Sequence, residues 1–364
     1  MDEGKCKEAS SKYHMIGGHG PNSYSLNSEY QKQLLVSAED LIKELTHEHL
    51  NIDENPSLIT HNNTFRIADF GCSIGPNTFF AVENIISAIE NKSNQNNSDI
   101  PEFQVFFNDL IDNDCNTLFR NIPKSRQYFV AAVPGSFYGQ LFPKATLHFA
   151  HCSTALHWLS KIPKKVTETS SISWNKGRIH YSGAANEVKK AYSDQYEEDM
   201  DVFLSARGKE LVNGGLMVLV VLCFPDGVLS SDSSIGVAFD IFGSCLKDMV
   251  KIGKISEEKM DSFNLPFYYP WPSEMKALIE ANGLFHIEKI AKLASPMRSK
   301  PDAQVLTYHL RAVIGGLIEQ HFGNGVVEEL FTNHLEKLSR SPILVDDKYW
   351  KETNYFIYLK RKDG

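Results

Sequence analysis

The chain has 364 residues, 42% hydrophobic and 23% charged, which is enough for a packed core and long enough for one α/β domain with an added cap. Its net charge of −8 excludes a duplex nucleic-acid binder, which needs a basic surface for phosphates, but leaves room for a small anion in a local pocket. No run of about 18 apolar residues suggests a membrane span, the polar start lacks the apolar centre of a secretory signal, and six scattered cysteines without C-x-x-C suit reduced thiols in a cytoplasmic protein and give no zinc pattern.

In chain order, residues 1–20 read as a flexible N-terminus with a Gly-rich end. Helical periodicity covers 25–49. Residues 66–70 read as a buried strand running into a turn with Gly71 and Gly75, followed by a helix over 79–90 and a polar, low-complexity loop over 91–99. A second strand is expected over 103–107, a short helix over 114–121, and further strands over 128–133 and 146–151. A long amphipathic helix over 187–212 is expected to stop at Gly214 and Gly215, before a strand over 216–223 rich in β-branched residues. This alternation predicts an α/β fold, a Rossmann-like and mainly parallel sheet covered on both faces. Helix-rich stretches, with helices at 235–251, 273–282 and within 302–340, break the alternation. The expected division is a core of 21–223 with 285–300 and 354–361, and a helical cap of 224–284 and 301–353 that forms a substrate pocket.

A strand, a glycine turn and a helix make a ligand cradle, because the backbone passes close to the ligand and the helix start offers free N–H groups. The turn here is G-x-x-x-G, not G-x-G-x-x-G, so the dinucleotide fingerprint is incomplete and an ordinary strand–helix turn is an equal reading. Asp109 ends the second strand, where an acid can accept both ribose hydroxyls of a nucleoside. The polar loop over 91–99 accounts for its distance from the turn. Pro134 and Gly135 follow the third strand and could bring Ser136 and Phe137 to an adenine, though a plain turn with a core Phe fits equally.

Several segments together resemble the plant SABATH methyltransferases, which include salicylic, jasmonic, indole-acetic and loganic acid enzymes and those of the caffeine pathway. The matching segments are Ile67-Ala68-Asp69-Phe70-Gly71-Cys72-Ser73-Ile74-Gly75-Pro76-Asn77-Thr78, Asn22-Ser23-Tyr24 with Ser28 and Gln31, Phe107-Asn108-Asp109-Leu110, and Val133-Pro134-Gly135-Ser136-Phe137-Tyr138, followed by Leu156-His157-Trp158-Leu159-Ser160, Asn175-Lys176-Gly177 and Met260-Asp261-Ser262-Phe263-Asn264-Leu265-Pro266. They keep the family's order from about residue 15 to 361.

The resemblance implies binding of S-adenosylmethionine (SAM) by Tyr24, Ser28, Asp69, Cys72, Asn77, Asp109, Leu110, Ser136, Phe137 and Cys152. It implies that Gln31 and Trp158 grip a substrate carboxylate, and that His157, Thr154, Ala238, Phe239, Leu310 and Tyr24 surround the substrate. It also implies a magnesium site at Asn175, Asp261, Phe263 and Asn264, oxygen ligands such as a hard cation takes, and a homodimer. The expected activity is methyl-ester formation on a small plant carboxylic acid, with no general base. Residues 155–160 and 175–181 look most like the loganic acid branch, so an iridoid-type acid is favoured. The alternatives are xanthine N-methylation and a non-catalytic binding protein on the same fold.

Overall fold

The computed structural model describes residues 13–50, 64–96, 98–294 and 300–363. Seven strands form one sheet: β1 (Thr64–Phe70), β2 (Glu102–Asp109), β3 (Tyr128–Pro134), β4 (Leu147–Ser153), β5 (Leu211–Cys223), β6 (Phe285–Lys292) and β7 (Thr353–Arg361). Their spatial order is β3-β2-β1-β4-β5-β7-β6. β1 to β5 pair in parallel, and β7 is inserted antiparallel between β5 and β6. The chain order reverses between β1 and β4, the kind of switch point where ligands bind beyond the strands' carboxyl ends.

Both faces of the sheet are covered, which is why β1 and β5 bury nearly every residue instead of alternating. On one face α1 (Glu29–His49) and α2 (Asn77–Asn96) pack Leu34, Ile42, Val82 and Ile85 against Phe65, Ile67 and Val105. On the other, α4 (Asn186–Glu210) and α7 (Pro272–Asn282) pack Tyr196, Phe203, Met275 and Ile279 against Ala68, Phe70 and Leu219. α3 (Cys115–Arg120) follows β2, with the Asp114 side chain accepting from Thr117 N. A separate cluster holds α5 (Ser234–Lys251), α6 (Glu257–Asp261), α8 (Ala303–Phe322) and α9 (Asn324–Ser339) through Phe242, Leu246, Met260, Ile314, Ile318 and Leu330.

Several expectations need correction. α2 continues to Asn96, so the polar loop is helical over most of its length. Ser93 is buried on the helix's inner face, and that packing overrides weak local propensity. α4 stops at Glu210, not 212, and Gly214 and Gly215 lie inside β5. They sit beside a register shift between β4 and β5, and a Cβ on Gly215 would come within 2.9 Å of the Val212 carbonyl oxygen. The first helix begins at Glu29, after a single 3-10 turn at Tyr24–Leu26. α7, expected in the cap, instead lies in the sheet's helical layer against α4 and β6.

Residues 13–20, expected to be flexible, are tied to the body. Ile16 N donates to the Ala312 carbonyl, and Gly18 N to Asp114 Oδ2. Residues 1–12 lie outside the described residues.

Gly71 shows why the turn after β1 needs glycine. Its φ is +78°, and a Cβ there would come within 2.7 Å of the Ala155 Cβ, on the segment after β4. Gly71→Ala combines a left-handed backbone with overlap onto a packed neighbour. We expect urea unfolding to report a loss of about 2–4 kcal/mol, while Gly20→Ala, with open space around it, shows almost none. Equal midpoints for the two variants would contradict this account of the turn.

Candidate active site

Beyond the carboxyl ends of β1, β2, β3 and β4 opens a cavity of about 1520 Å³. A single ligand pocket is usually about 300–1,000 Å³, so this one has room for two molecules side by side. Gly71 and Ser73 come from the turn after β1, and Asp109 and Leu110 from the end of β2. Ser136 and Phe137 follow β3; Thr154, His157 and Trp158 follow β4. Tyr24 and Gln31 reach the same space from the first turn and α1, Ala238 and Phe239 from α5, and Leu310 from α8.

Asp109 is fixed by backbone: its carboxylate oxygens accept from Ser73 N and Leu110 N, each at 2.7 Å. Ser73 Oγ beside it is buried without a partner. The loop carrying Ser136 and Phe137 is held by the Asn108 amide, which donates to the carbonyls of Val133 and Gly135 at 2.8 and 2.9 Å. Asp69, Cys72 and Asn77 line a small side cavity of about 40 Å³. There the Asp69 carboxylate is already engaged by Thr78 Oγ1 and by His151 Nδ1, the latter at 2.7 Å.

At the other end, the His157 ring stacks on Tyr269 at 5.4 Å and the Trp158 ring lies edge-on to Phe267 at 4.4 Å. Burial pushes the His157 imidazole down to about 3, with His309 adding a smaller effect, so it is neutral. His157 Nδ1 and Gln31 Oε1 are buried without partners. Thr154 has a φ of +51°, a strained backbone for a β-branched residue, and its N–H is spent on the Val220 carbonyl.

A family model described as SAM dependent carboxyl methyltransferase matches residues 10–362. The chain belongs to this family. It is therefore an enzyme that transfers a methyl group from SAM to a carboxylic acid. A loganic acid O-methyltransferase of Catharanthus roseus is 43% identical over 96% of this chain and 94% of its own length. A farnesoic acid carboxyl-O-methyltransferase of Arabidopsis thaliana is 42% identical over 90% of this chain and 93% of its own. A solved structure, loganic acid methyltransferase with SAH, superposes with a TM-score of 0.92 at 43% identity, covering 96% of this chain and 99% of that one.

Not every expected residue of the methyltransferase reaches the cavity. Cys152 is buried in the sheet core, and Ser28 supports Asn77, whose amide donates to its carbonyl and hydroxyl at 3.1 and 3.0 Å. The expected magnesium ligands do not form an open cage. Asn175 Nδ2 donates to Asn264 Oδ1 at 2.7 Å, and Asp261 Oδ1 accepts from Gly177 N at 2.8 Å. Only Asp261 brings a charge, and the amide oxygen a cation would take is committed to a neighbour. The donor set fits a clamp between two loops better than a hard cation.

Other cavity residues escaped the sequence reading. Tyr13 stacks on Trp158 at 5.8 Å, from the stretch expected to be flexible. His309 Nδ1 lies 2.7 Å from the Asn27 carbonyl, so that nitrogen carries the proton and Nε2 is an acceptor. Tyr138 donates its hydroxyl to the Trp158 carbonyl at 2.5 Å, linking the loop after β3 to the loop after β4. Tyr138 stood within a quoted motif and His309 beside Leu310; for Tyr13 no local signal existed.

Asp109 makes the site's electrostatics testable. Burial raises its carboxyl to about 6, despite the two backbone N–H groups that lower it. Because the folded state disfavours the ion, the group favours folding most below its unfolded value near 4, and that contribution is lost as pH rises through about 6. The stability of Asp109→Asn relative to the parent should therefore grow between about pH 4 and 6 and level off above 7. A difference independent of pH, in urea unfolding across that range, would mean that Asp109 ionises normally.

Proposed function

We propose that this methyltransferase forms the methyl ester of a bulky, partly polar carboxylic acid, with an iridoid-type acid such as loganic acid favoured. The observation that carries this reading is one cavity with room for two molecules, lined by Gln31, His157 and Trp158 as well as by Asp109, Ser136 and Phe137. A benzoate-sized acid beside the cofactor would leave much of this volume empty. The likeness to loganic acid O-methyltransferase supports the iridoid preference. The farnesoic acid relative, of similar identity, makes a long apolar acid the natural competitor in a substrate panel.

In this reading Asp109 accepts the ribose hydroxyls, Ser136 and Phe137 frame the adenine, and Tyr24 and Leu110 line the same cavity. Asp69, Cys72 and Asn77 support the turn after β1. The fit to a nucleoside rests on the fixed Asp109 carboxylate and on the unpartnered Ser73 hydroxyl beside it. When bound, SAM supplies an activated methyl on a sulfonium. The protein's residues need only hold the acid in line with it. A carboxylic acid is already ionised at neutral pH, so no base is required. Gln31 and the Trp158 indole N–H are neutral donors, suited to a carboxylate that loses its charge as the ester forms. Neutral His157 adds shape and a hydrogen-bonding atom without a competing charge. Thr154, Ala238, Phe239 and Leu310 bound the acid's body. A homodimer is proposed with this reading on family resemblance alone; light scattering that returns a monomer mass at micromolar concentration would remove it.

Turnover of labelled SAM against a panel of iridoid, terpenoid, aromatic acids and xanthines tests the substrate class. Trp158→Phe keeps a ring against Phe267 but deletes the N–H. We expect kcat/KM for the best acid to fall about 10- to 150-fold, the cost of one hydrogen bond to a charged group, with SAM affinity within about twofold. Thr154→Tyr should shift the panel toward smaller acids. Wild-type kinetics in Trp158→Phe would place the carboxylate elsewhere, and xanthines outrunning every acid would overturn the ester reading.

A further inference from the structure

Arg207 and Glu210, near the C-terminal end of α4, lie outside every motif considered above. Both side chains are fully buried, and Arg207 Nε meets Glu210 Oε2 at 2.7 Å. Arg207 donates from its two terminal nitrogens to the carbonyls of Phe137 and Gly139, each at 2.8 Å. The other Glu210 oxygen accepts from Leu141 N, and from Phe142 N at 3.0 Å. The guanidinium is stacked over Phe70 at 4.1 Å and lies 5.1 Å from Phe203. One ion pair thus grips four backbone groups of the short loop after β3.

A buried ion pair is a poor way to gain stability, since apolar residues of similar volume often do as well. It is a good way to fix backbone, because a guanidinium fork and a carboxylate impose direction on carbonyls and amides. The gripped residue Phe137 is the one that faces the cavity beside Ser136. We propose that Arg207 and Glu210 are positioning residues for the nucleoside end of the site, acting on SAM affinity through the loop at 136–142 without touching the cofactor. The inference rests on the reading of Ser136 and Phe137 as the adenine contacts. Asp199 provides an internal comparison. It lies on the same helix, equally buried, but grips Ser160 beyond Trp158, through Ser160 N at 2.8 Å and Oγ at 2.6 Å.

The test is calorimetric binding of S-adenosylhomocysteine to the purified full chain. Arg207→Lys keeps the charge facing Glu210 but loses the fork to the two carbonyls, and its dissociation constant should rise about tenfold or more. Asp199→Asn should stay within about twofold, even where its thermal midpoint falls as far. If Arg207→Lys does not fold, Arg207→Met combined with Glu210→Leu removes both charges together, which costs less than stranding one, and should show the same weakened binding. A folded Arg207→Lys or double variant that binds as tightly as the parent overturns the inference. Equal weakening in Asp199→Asn would also overturn it, since the effect would then follow general destabilisation. Phe137→Ala separates the underlying reading: if that variant binds normally, the adenine assignment itself is wrong, whereas weakening there with none in Arg207→Lys defeats only the positioning role.

Discussion

The guanidinium of Arg207 is fully buried, and the fold around α4 supplies an acceptor to each of its three nitrogens. The loop after β3 must curl so that its carbonyls point inward at Phe137 and Gly139. Glu210 must stay at the helix end, although its backbone already belongs to the β4 edge through Thr146 N. From that loop the Tyr138 hydroxyl reaches the Trp158 carbonyl, and Asp199, two turns earlier on α4, holds Ser160. One buried helix face therefore orients the loops after β3 and β4. The cap inherits this order: Trp158 bridges Phe267, Leu159 N donates to the Pro266 carbonyl, and Tyr268 N to the His157 carbonyl.

The same desolvation shapes the chemistry. Burial keeps the His157 imidazole neutral and raises the Asp109 carboxyl to about 6. The Asp109 carboxylate is placed against two backbone N–H groups, which orient it without cancelling it.

Asn175 and Asn264 tie the segment before α4 to the segment before α7, and Tyr192 joins them through its hydroxyl, donating to the Leu265 carbonyl at 3.0 Å. This amide clamp joins the two segments directly. It keeps Phe267 and Tyr269 at the cavity wall, where they pack against Trp158 and His157.

The sequence by itself determined the sheet and its ligand edge. The segments at β1 and β5, short and bounded by turn signals, read as strands covered on both sides, and the glycine turn, Asp109 and Pro134-Gly135 are local devices whose chemistry is visible one segment at a time. Element ends were less legible. Ser93 continues a helix because the core accepts it, and Gly214 and Gly215, which look like a helix stop, serve a bulge that exists only when β4 pairs with β5. Within the site, Asp69 and Cys152 show the limit most clearly. Whether a polar side chain faces the cavity or is spent on His151 and the core depends on partners 82 residues away or across the sheet. The tertiary structure alone brought Tyr13 and His309 to the cavity and the Arg207–Glu210 pair to the loop after β3, because each depends on a contact between segments that no local pattern records.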